Sequence, residues 1–532
     1  MSAQTSPRIL DGDSMEQAIM LNVDLEAKTD ELSGRQPPWE PANTLRNLPG
    51  SLGLSNVKSW LSAWSRTRRR PKNQHKTAYL DGLRGFAAFI VYWHHHVLWA
   101  HKEDIEIFEN GFGYNQQYYF AALPGVRLFF SGGHLAVSIF FVLSGYVLSI
   151  KPLRLIEKND TSGLAEHLGS AIFRRWLRLF LPVAATTFIY ATSWHLFGLW
   201  VDGAEPHDSW LHEMWFFYCE LKNFSFPFKD GGVPWLSYNV YLWSIPIEFK
   251  GSMVVFTSLL AMSRCSLNAR LWCQISLIGY FISARGTLNA RLWCQISLIG
   301  YFMYIADGWY CAMFIAGMLL GHLDLLAEVD RDNLPSLLTR LAPYKNIICY
   351  HFLLVGIYLG GVPSANQDVD QLANTRGWHI LSYLKPQAVF DYKWFYLFWA
   401  AVLLITSVSN IGWLKRFFET YACQYLGRVS YALYLVHGPV LWIIGDRLYT
   451  AVGFHGKSQR EHIPQWVNKF ELPQMGPFGL EVAYLLPQAI LLPLTLCMAD
   501  FVTRVIDQPS VQFAAWAYRK TLPAVAGKLS NA

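Results

Sequence analysis

The stretch YLDGLRGFAAFIVYWHHHVLWA, residues 79–100, decides how this chain is read. It is long and apolar enough to form a helix in lipid, yet it carries Asp81, Arg84 and three consecutive histidines, His94 to His96. Ionisable groups inside a membrane span are costly, so they face a bundle interior and serve a purpose there. At 100° per residue, the steps from Arg84 to His95 leave a net rotation of about 20°, so the two side chains share a face, roughly 16 Å apart along the axis. His94 and His96 point about 80° and about 120° away from Arg84. Ala88 and Val91 leave the shared face open, and Asp81 sits one turn before Arg84, where it can pair with the guanidinium. His95 is therefore the candidate among the three. A snorkelling Arg84 with an interfacial histidine cluster would account for the same residues without chemistry.

The bulk composition agrees with a helix in lipid. Of 532 residues, 52% are hydrophobic, 16% aromatic and only 15% charged, against about 25% charged in an average soluble domain. The expected fold is all-α: a polytopic membrane protein with about ten transmembrane helices in one bundle. A net charge of +6 is small for this length and argues against nucleic acid as a partner. The eight cysteines lack metal-type spacing and mostly lie in apolar runs, so neither a disulfide framework nor a metal site is expected, and Cys219, in the loop 201–240, is the one candidate for either. The first 25 residues lack an apolar core with a basic flank, so the first span serves as the targeting signal.

Spans are expected near 80–100, 134–150, 177–200, 241–263, 287–306, 308–326, 346–363, 393–411, 429–446 and 480–503. Before them, residues 1–75 read as a disordered cytosolic tail ending in the basic collar WSRTRRRPKNQH; residues 511–532 form a cytosolic C-terminal tail. Lys151, Arg154, Lys158, Arg174, Arg175 and Arg178 follow span two, whereas Glu103, Asp104, Glu106 and Glu109 follow span one. The Lys/Arg excess marks the cytosolic side and puts both termini there, in the plasma membrane or a secretory-pathway membrane. One block, LNARLWCQISLIGYF, occurs at 267–281 and again at 288–302. An exact copy this short is neither a solenoid nor an inverted repeat; it reads as a tandem duplication or a gene-model error. If both copies crossed, the basic segments 327–345 and 412–428 would face outward, so one copy is expected to span.

Further signals lie downstream. YLWSIPIEFKGSMVVF puts Glu248 inside a span, where a carboxylate is neutral or paired. FRRWLRLFLP, residues 173–182, offers Arg174, Arg175 and Arg178 at the cytosolic start of span three, suited to phosphates or to plain positive-inside anchoring. FFVLSGYVLSI places Ser144 and Gly145 in mid-span, the usual mark of close helix packing. SYALYLVHGPV sets His437 beside Tyr431 and Tyr434, and a satisfied core histidine is the simpler reading. The long loops 201–240 and 447–479 are aromatic; Trp200, Trp210, Trp215 and Trp235 suit stacking on sugars or sterols, and equally an interfacial belt.

Together these segments resemble the acyltransferase 3 family of integral membrane acyltransferases. The resemblance runs from LDGLRGFAAFIVYWHH through FFVLSGYVLS, FRRWLRLFLPV, WSIPIEF and SYALYLVHGP to VIDQPS, over roughly residues 76–510. The family's arginine–ten residues–histidine signature falls on Arg84 and His95, its basic motif on Arg174, Arg175 and Arg178, and its membrane glutamate on Glu248. Pro182 is followed by Val183 and Ala184 where the family commonly has Pro-Xaa-Tyr, and the duplicated block has no family counterpart. The long polar N-terminus resembles fungal members. The resemblance implies transfer of an acyl group, usually acetyl, from cytosolic acyl-CoA to a hydroxyl of a glycan, lipid or small molecule, with no bound cofactor and membrane lipid as the surroundings. On that implication His95 is the general base or a transient acyl carrier. Arg84, held by Asp81, neutralises negative charge, and Glu248 orients His95 or binds the acceptor. Arg174, Arg175 and Arg178, with Ser144, Tyr431 and His437, contact the substrates. A proton-coupled transporter or exporter would use the same buried Arg, His and Glu, but no diverged repeat accompanies them. A non-catalytic acyl-binding sensor is a third reading.

Overall fold

A computed structural model describes residues 76–204, 206–228, 235–263, 299, 301, 303, 307–329, 336–365 and 367–522. The expected N-terminal tail and, apart from residues 299 and 301, both duplicated blocks lie outside them. All regular structure among the described residues is helical. The main helices are α1 (Ala78–Ala100), α2 (Gly133–Glu157), α3 (Thr161–Phe197), α4 (Trp210–Ser225), α5 (Ser244–Ser263), α6 (Trp309–Val329), α7 (Lys345–Gly360), α8 (Tyr392–Asn410), α9 (Tyr421–Val440), α10 (Val482–Val502) and α11 (Gln508–Thr521). Five stretches are long and apolar enough to cross a membrane: Gly133–Glu157, Ser237–Ser263, Trp309–Glu328, Tyr392–Asn410 and Val482–Thr521. Helices α1, α3, α7 and α9 also fall on expected spans. Of these, α7 has only 16 residues, and the other three interrupt their apolar runs with the polar groups that make the site.

Two boundaries differ from the sequence reading. Helix α3 begins at Thr161, not near 177, because nothing in the basic stretch breaks it. The Asp160 side chain caps its start by accepting from the Gly163 amide at 2.8 Å, and Gly198, at φ 58°, ends it in a left-handed turn. Its 37 residues rise about 56 Å, well beyond a hydrocarbon core of about 30 Å. The FRRWLRLFLP arginines thus lie along the helix rather than in a loop. At the other end of the chain, residues 511–521 continue α11, which packs on α3.

Close backbone approach sets the packing. A Cβ on Gly85 of α1 would lie 2.1 Å from the amide nitrogen of Gly427 on α9. One on Gly317 of α6 would lie 1.9 Å from the Val142 carbonyl oxygen of α2. Small residues at such crossings replace the hydrophobic drive that lipid removes. The Gln424 amide donates to the Ala78 carbonyl at 2.7 Å, Arg84 to the Gly427 carbonyl at 3.1 Å, and Trp99 to Asp446 at 2.9 Å. Numbering rises together on both sides of these contacts, so α1 and α9 run parallel.

Helix α9 is broken at its far end. Pro439 has no N–H to give the Leu435 carbonyl, and the Asn239 side chain supplies the missing donor at 3.2 Å. A π-turn at Leu441–Gly445 and a short helix, Asp446–Val452, follow. Beyond α1, the buried Arg127 gathers the carbonyls of Asn110, Phe108 and Glu109 at 2.9, 3.1 and 3.3 Å, pinning the connecting loop.

Alanine at Gly85 or Gly317 forces two backbones apart, and overpacking of this kind costs about 1–3 kcal/mol. Both variants should lose thermal stability in detergent. Gly412→Ala, where a Cβ meets nothing within 4 Å, should match the parent, and equal melting curves for all three would refute the close-packing account.

Candidate functional site

The three consecutive histidines go to three different places. The His94 Nδ1–H donates to the Phe130 carbonyl at 3.2 Å. His96 meets the Tyr449 hydroxyl at 2.7 Å, in a buried network with Gln488 and Tyr92. His95 turns inward: its Nδ1 lies 2.9 Å from His437 Nε2 on α9, and its ring stacks on Tyr241 with centroids 3.7 Å apart. Of the three, His95 is the most exposed: it is half-buried, whereas His94 and His96 are buried. Its Nε2 makes no hydrogen bond with any described residue.

Tyr241 belongs to a 3-10 segment, Ser237–Trp243, which leads into α5. The segment is clamped to α9 by Asn239 on the Leu435 carbonyl, by the Tyr434 hydroxyl on the Tyr241 carbonyl, and by Ser244 with the Tyr434 hydroxyl at 2.8 Å. From the other side, the buried Glu213 of α4 accepts from the Tyr238 hydroxyl at 2.5 Å, the His207 amide at 2.8 Å and His195 at 3.1 Å. Burial raises the pKa of Glu213, but the hydrogen bonds from Tyr238, His207 and His195 outweigh it and hold the carboxyl below its ordinary value.

A basic pocket opens at the Arg84 end of α1. Its walls include Asp81, Arg84, Ser144, Lys151, His167, Arg175 and Arg178, from α1, α2 and α3. Arg84 is tied to Asp81 at 3.2 Å and to the Gly427 carbonyl, while its Nε is buried without a hydrogen-bond partner among the described residues. Arg175 pairs with Glu248 at 2.6 Å and donates to Ser252 at 2.9 Å; Ser144 donates to the same Glu248 oxygen at 2.6 Å. The pocket therefore carries four Lys/Arg side chains and one aspartate at a helix-lined mouth, an arrangement suited to a polyanion.

The structure thus sorts the candidates into two groups. His95 and His437 form a pair in mid-bundle. Arg84, Asp81, Ser144, Arg175 and Arg178 line the pocket, with Glu248 fixed against its wall. Glu248 makes no hydrogen bond to His95 in the structure: Arg175 and Ser144 hold its carboxylate, and His437 lies beside the imidazole. Arg174 stays off the lining, its Nε donating to the Ser170 carbonyl at 3.3 Å. The Tyr431 hydroxyl ties α9 to the Leu179 carbonyl of α3 at 2.6 Å. Tyr241, Asn239, Lys151 and His167 were not singled out from sequence. Lys151, counted in the sequence only as a cytosolic charge, lies three and four residues after Leu148 and Val147 of the lining, and His167 lies eight residues before Arg175.

The site thus combines a pair of imidazoles inside the helical bundle with an arginine-lined pocket at the foot of α1. The chain belongs to the acyltransferase 3 family: residues 77–499 match the family's model, described as an acyltransferase domain. Among curated proteins it is similar to O-acetyltransferase PaAT-1 of Phomopsis amygdali, 29% identical over 86% of this chain and 88% of the relative. Acyltransferase clz18 of Cochliobolus lunatus is 24% identical over 72% and 86% of the two chains. Acyltransferase R4 of a Phoma species is 23% identical over 71% and 86%. No solved structure matches significantly.

Arg175→Met strands the Glu248 carboxylate and should cost about 3–5 kcal/mol in mixed-micelle unfolding, with much of it regained on adding Glu248→Gln; a second change that adds to the first instead would disprove the pairing. For Glu213 the folded pKa is depressed, so its stabilisation is complete above the unfolded carboxylate pKa and is lost as pH falls through the folded one. Hydrogen-exchange protection of Ser237–Trp243 should therefore hold from neutral pH down through the ordinary glutamate range of about 4.3 and fall only at more acidic pH. Glu213→Gln should remove that pH dependence.

Proposed function

We propose that this protein is a membrane O-acyltransferase that moves an acetyl group from acetyl-CoA to a hydroxyl of a glycan, lipid or small molecule. In this reading the chain crosses ten times with both termini in the cytosol. The parallel run of α1 and α9 supports that count, since spans one and nine of such a chain point the same way. The pocket of Arg84, Lys151, Arg175 and Arg178 carries the donor assignment, because coenzyme A presents phosphates at one end of a long neutral arm. The name O-acetyltransferase on one relative supports oxygen as the acceptor atom and acetyl as the group.

The chemistry follows from the imidazole. An acceptor hydroxyl attacks a thioester poorly until its proton is withdrawn, and histidine is the side chain with the right affinity for it. As the C–O bond forms, the hydroxyl proton passes to His95. The C–S bond then breaks, and the thiolate of coenzyme A takes the proton back. Arg84 and the pocket arginines hold the donor's phosphates, which spends binding energy on positioning the thioester. Ser144 and Arg175 keep the Glu248 carboxylate from competing as a base.

Purified protein in nanodiscs, given labelled acetyl-CoA and the host's extracted pool of small molecules and lipids, should transfer label to an ester. His95→Ala should lower transfer by on the order of 10²–10⁴-fold at unchanged elution volume. Arg178→Ala should raise KM for acetyl-CoA more than it lowers kcat. Full activity in the His95 variant would end this reading.

A further inference from the structure

We infer that His437 is a positioning residue that fixes the tautomer of His95, so that the proton sits on Nδ1 and the lone pair of Nε2 faces the acceptor hydroxyl. The inference rests on His95 being the base of the proposed reaction, but its geometric half stands without that.

The partners decide where each proton lies. His437 Nδ1 has two neighbours within hydrogen-bond distance, the Tyr434 carbonyl at 2.8 Å and the Leu433 carbonyl at 3.2 Å. Both are acceptors only, so Nδ1 must be the protonated nitrogen. In the neutral ring the other nitrogen, Nε2, is then an acceptor. It points at His95 Nδ1 from 2.9 Å, so His95 Nδ1 donates. That leaves His95 Nε2 without a proton, free of hydrogen bonds to described residues, on the most exposed histidine of the three. Among the described residues, no carboxylate is hydrogen-bonded to either ring. A positive charge on the pair would be uncompensated inside the bundle, which keeps both rings neutral until a substrate proton arrives.

The relay begins at the backbone, which explains its rigidity. The carbonyl of Tyr434 anchors His437, and His437, 1% exposed, cannot rotate among its neighbours. Tyr241 stacks on both imidazoles, with centroids 3.7 Å from His95 and 5.3 Å from His437, and the interplanar angle is 15° in each case. Stacking fixes the ring planes; the hydrogen bonds fix which nitrogen is basic. An orienting acceptor behind a catalytic imidazole is commonly a carboxylate. A neutral histidine does the same orienting work without adding a charge to the bundle.

The test uses the full chain in nanodiscs with ¹⁵N-labelled histidine, the His95 signals being assigned by their loss in His95→Gln. In the parent, His95 should show a protonated Nδ1 and an unprotonated Nε2. In His437→Leu, which keeps bulk but offers no acceptor, the proton should move to Nε2 or exchange between the two. His437→Gln can present its amide oxygen where Nε2 lay and should restore the parent pattern, whereas His437→Asn is too short and should not; this second pair serves if the leucine variant fails to fold. In acetyl transfer, His437→Leu should lower kcat by on the order of 10²–10⁴-fold with KM for acetyl-CoA unchanged. The glutamine variant should recover at least part of that loss. A proton on His95 Nε2 in the parent, or an Nδ1–H tautomer that persists in His437→Leu, overturns the inference. If the tautomers behave as expected while His95→Ala remains fully active, the acyl-transfer reading fails and the tautomer assignment stands.

Discussion

The contact between Gly85 and Gly427 is the constraint on which the site depends. Helices whose backbones touch cannot slide or roll without a clash, so the glycine crossing fixes both distance and register. Ten residues above it on each helix lie His95 and His437. Because α1 and α9 run parallel, equal rise on both brings the two rings level, about 15 Å from the crossing. A hydrogen bond between side chains on helices more than 300 residues apart in sequence therefore follows from a packing decision made three turns away. The same crossing places the Gly427 carbonyl under Arg84, so Arg84 and His95 are set by one interface.

A second constraint comes from proline. Pro439 removes the donor that the Leu435 carbonyl would have had, and a buried carbonyl without a partner is expensive. Asn239 fills that vacancy and in doing so docks the Ser237–Trp243 segment on α9. Tyr241 arrives over the two imidazoles as a consequence. The defect in one helix thus becomes the attachment point for the aromatic wall of the site, and Glu213 braces the segment from behind through Tyr238. Breaks in membrane helices are tolerated where other groups satisfy the freed backbone. Here the satisfying group also carries a functional neighbour.

Much of α1 was legible in the sequence because its information is local. A helical period of 3.6 residues is enough to put Arg84 and His95 on one face, and i, i+3 spacing is enough to pair Asp81 with Arg84. The partner of His95 was not legible. His437 reads as an ordinary buried histidine until the α1–α9 contact is known, and no periodicity within either helix reports that contact. For Glu248 the family resemblance left two roles open, orienting His95 or binding the acceptor. Its neighbour is Arg175, 73 residues away in sequence, and the pairing depends on how α3 leans on α5. The length of α3 was hidden for a related reason. Arginines are read as marking where a span ends, whereas Arg175 and Arg178 face a polar pocket and the helix carries them onward.

In the proposed reaction the separation of the two groups of residues has a chemical logic. Charges that bind phosphates must stay where they can be hydrated or paired, and Arg84, with Asp81, sits at the polar foot of α1. A base that must accept a proton from a hydroxyl works best where no fixed cation depresses its proton affinity and none of its lone pairs is spent. Roughly 16 Å of helix between Arg84 and His95 meets both requirements at once. It asks for a donor with its charges at one end and its reactive carbonyl at the other, joined by an uncharged arm. In the proposed reaction coenzyme A has that form. A compact acyl phosphate would keep its charge and its carbonyl too close together to satisfy both ends of the helix.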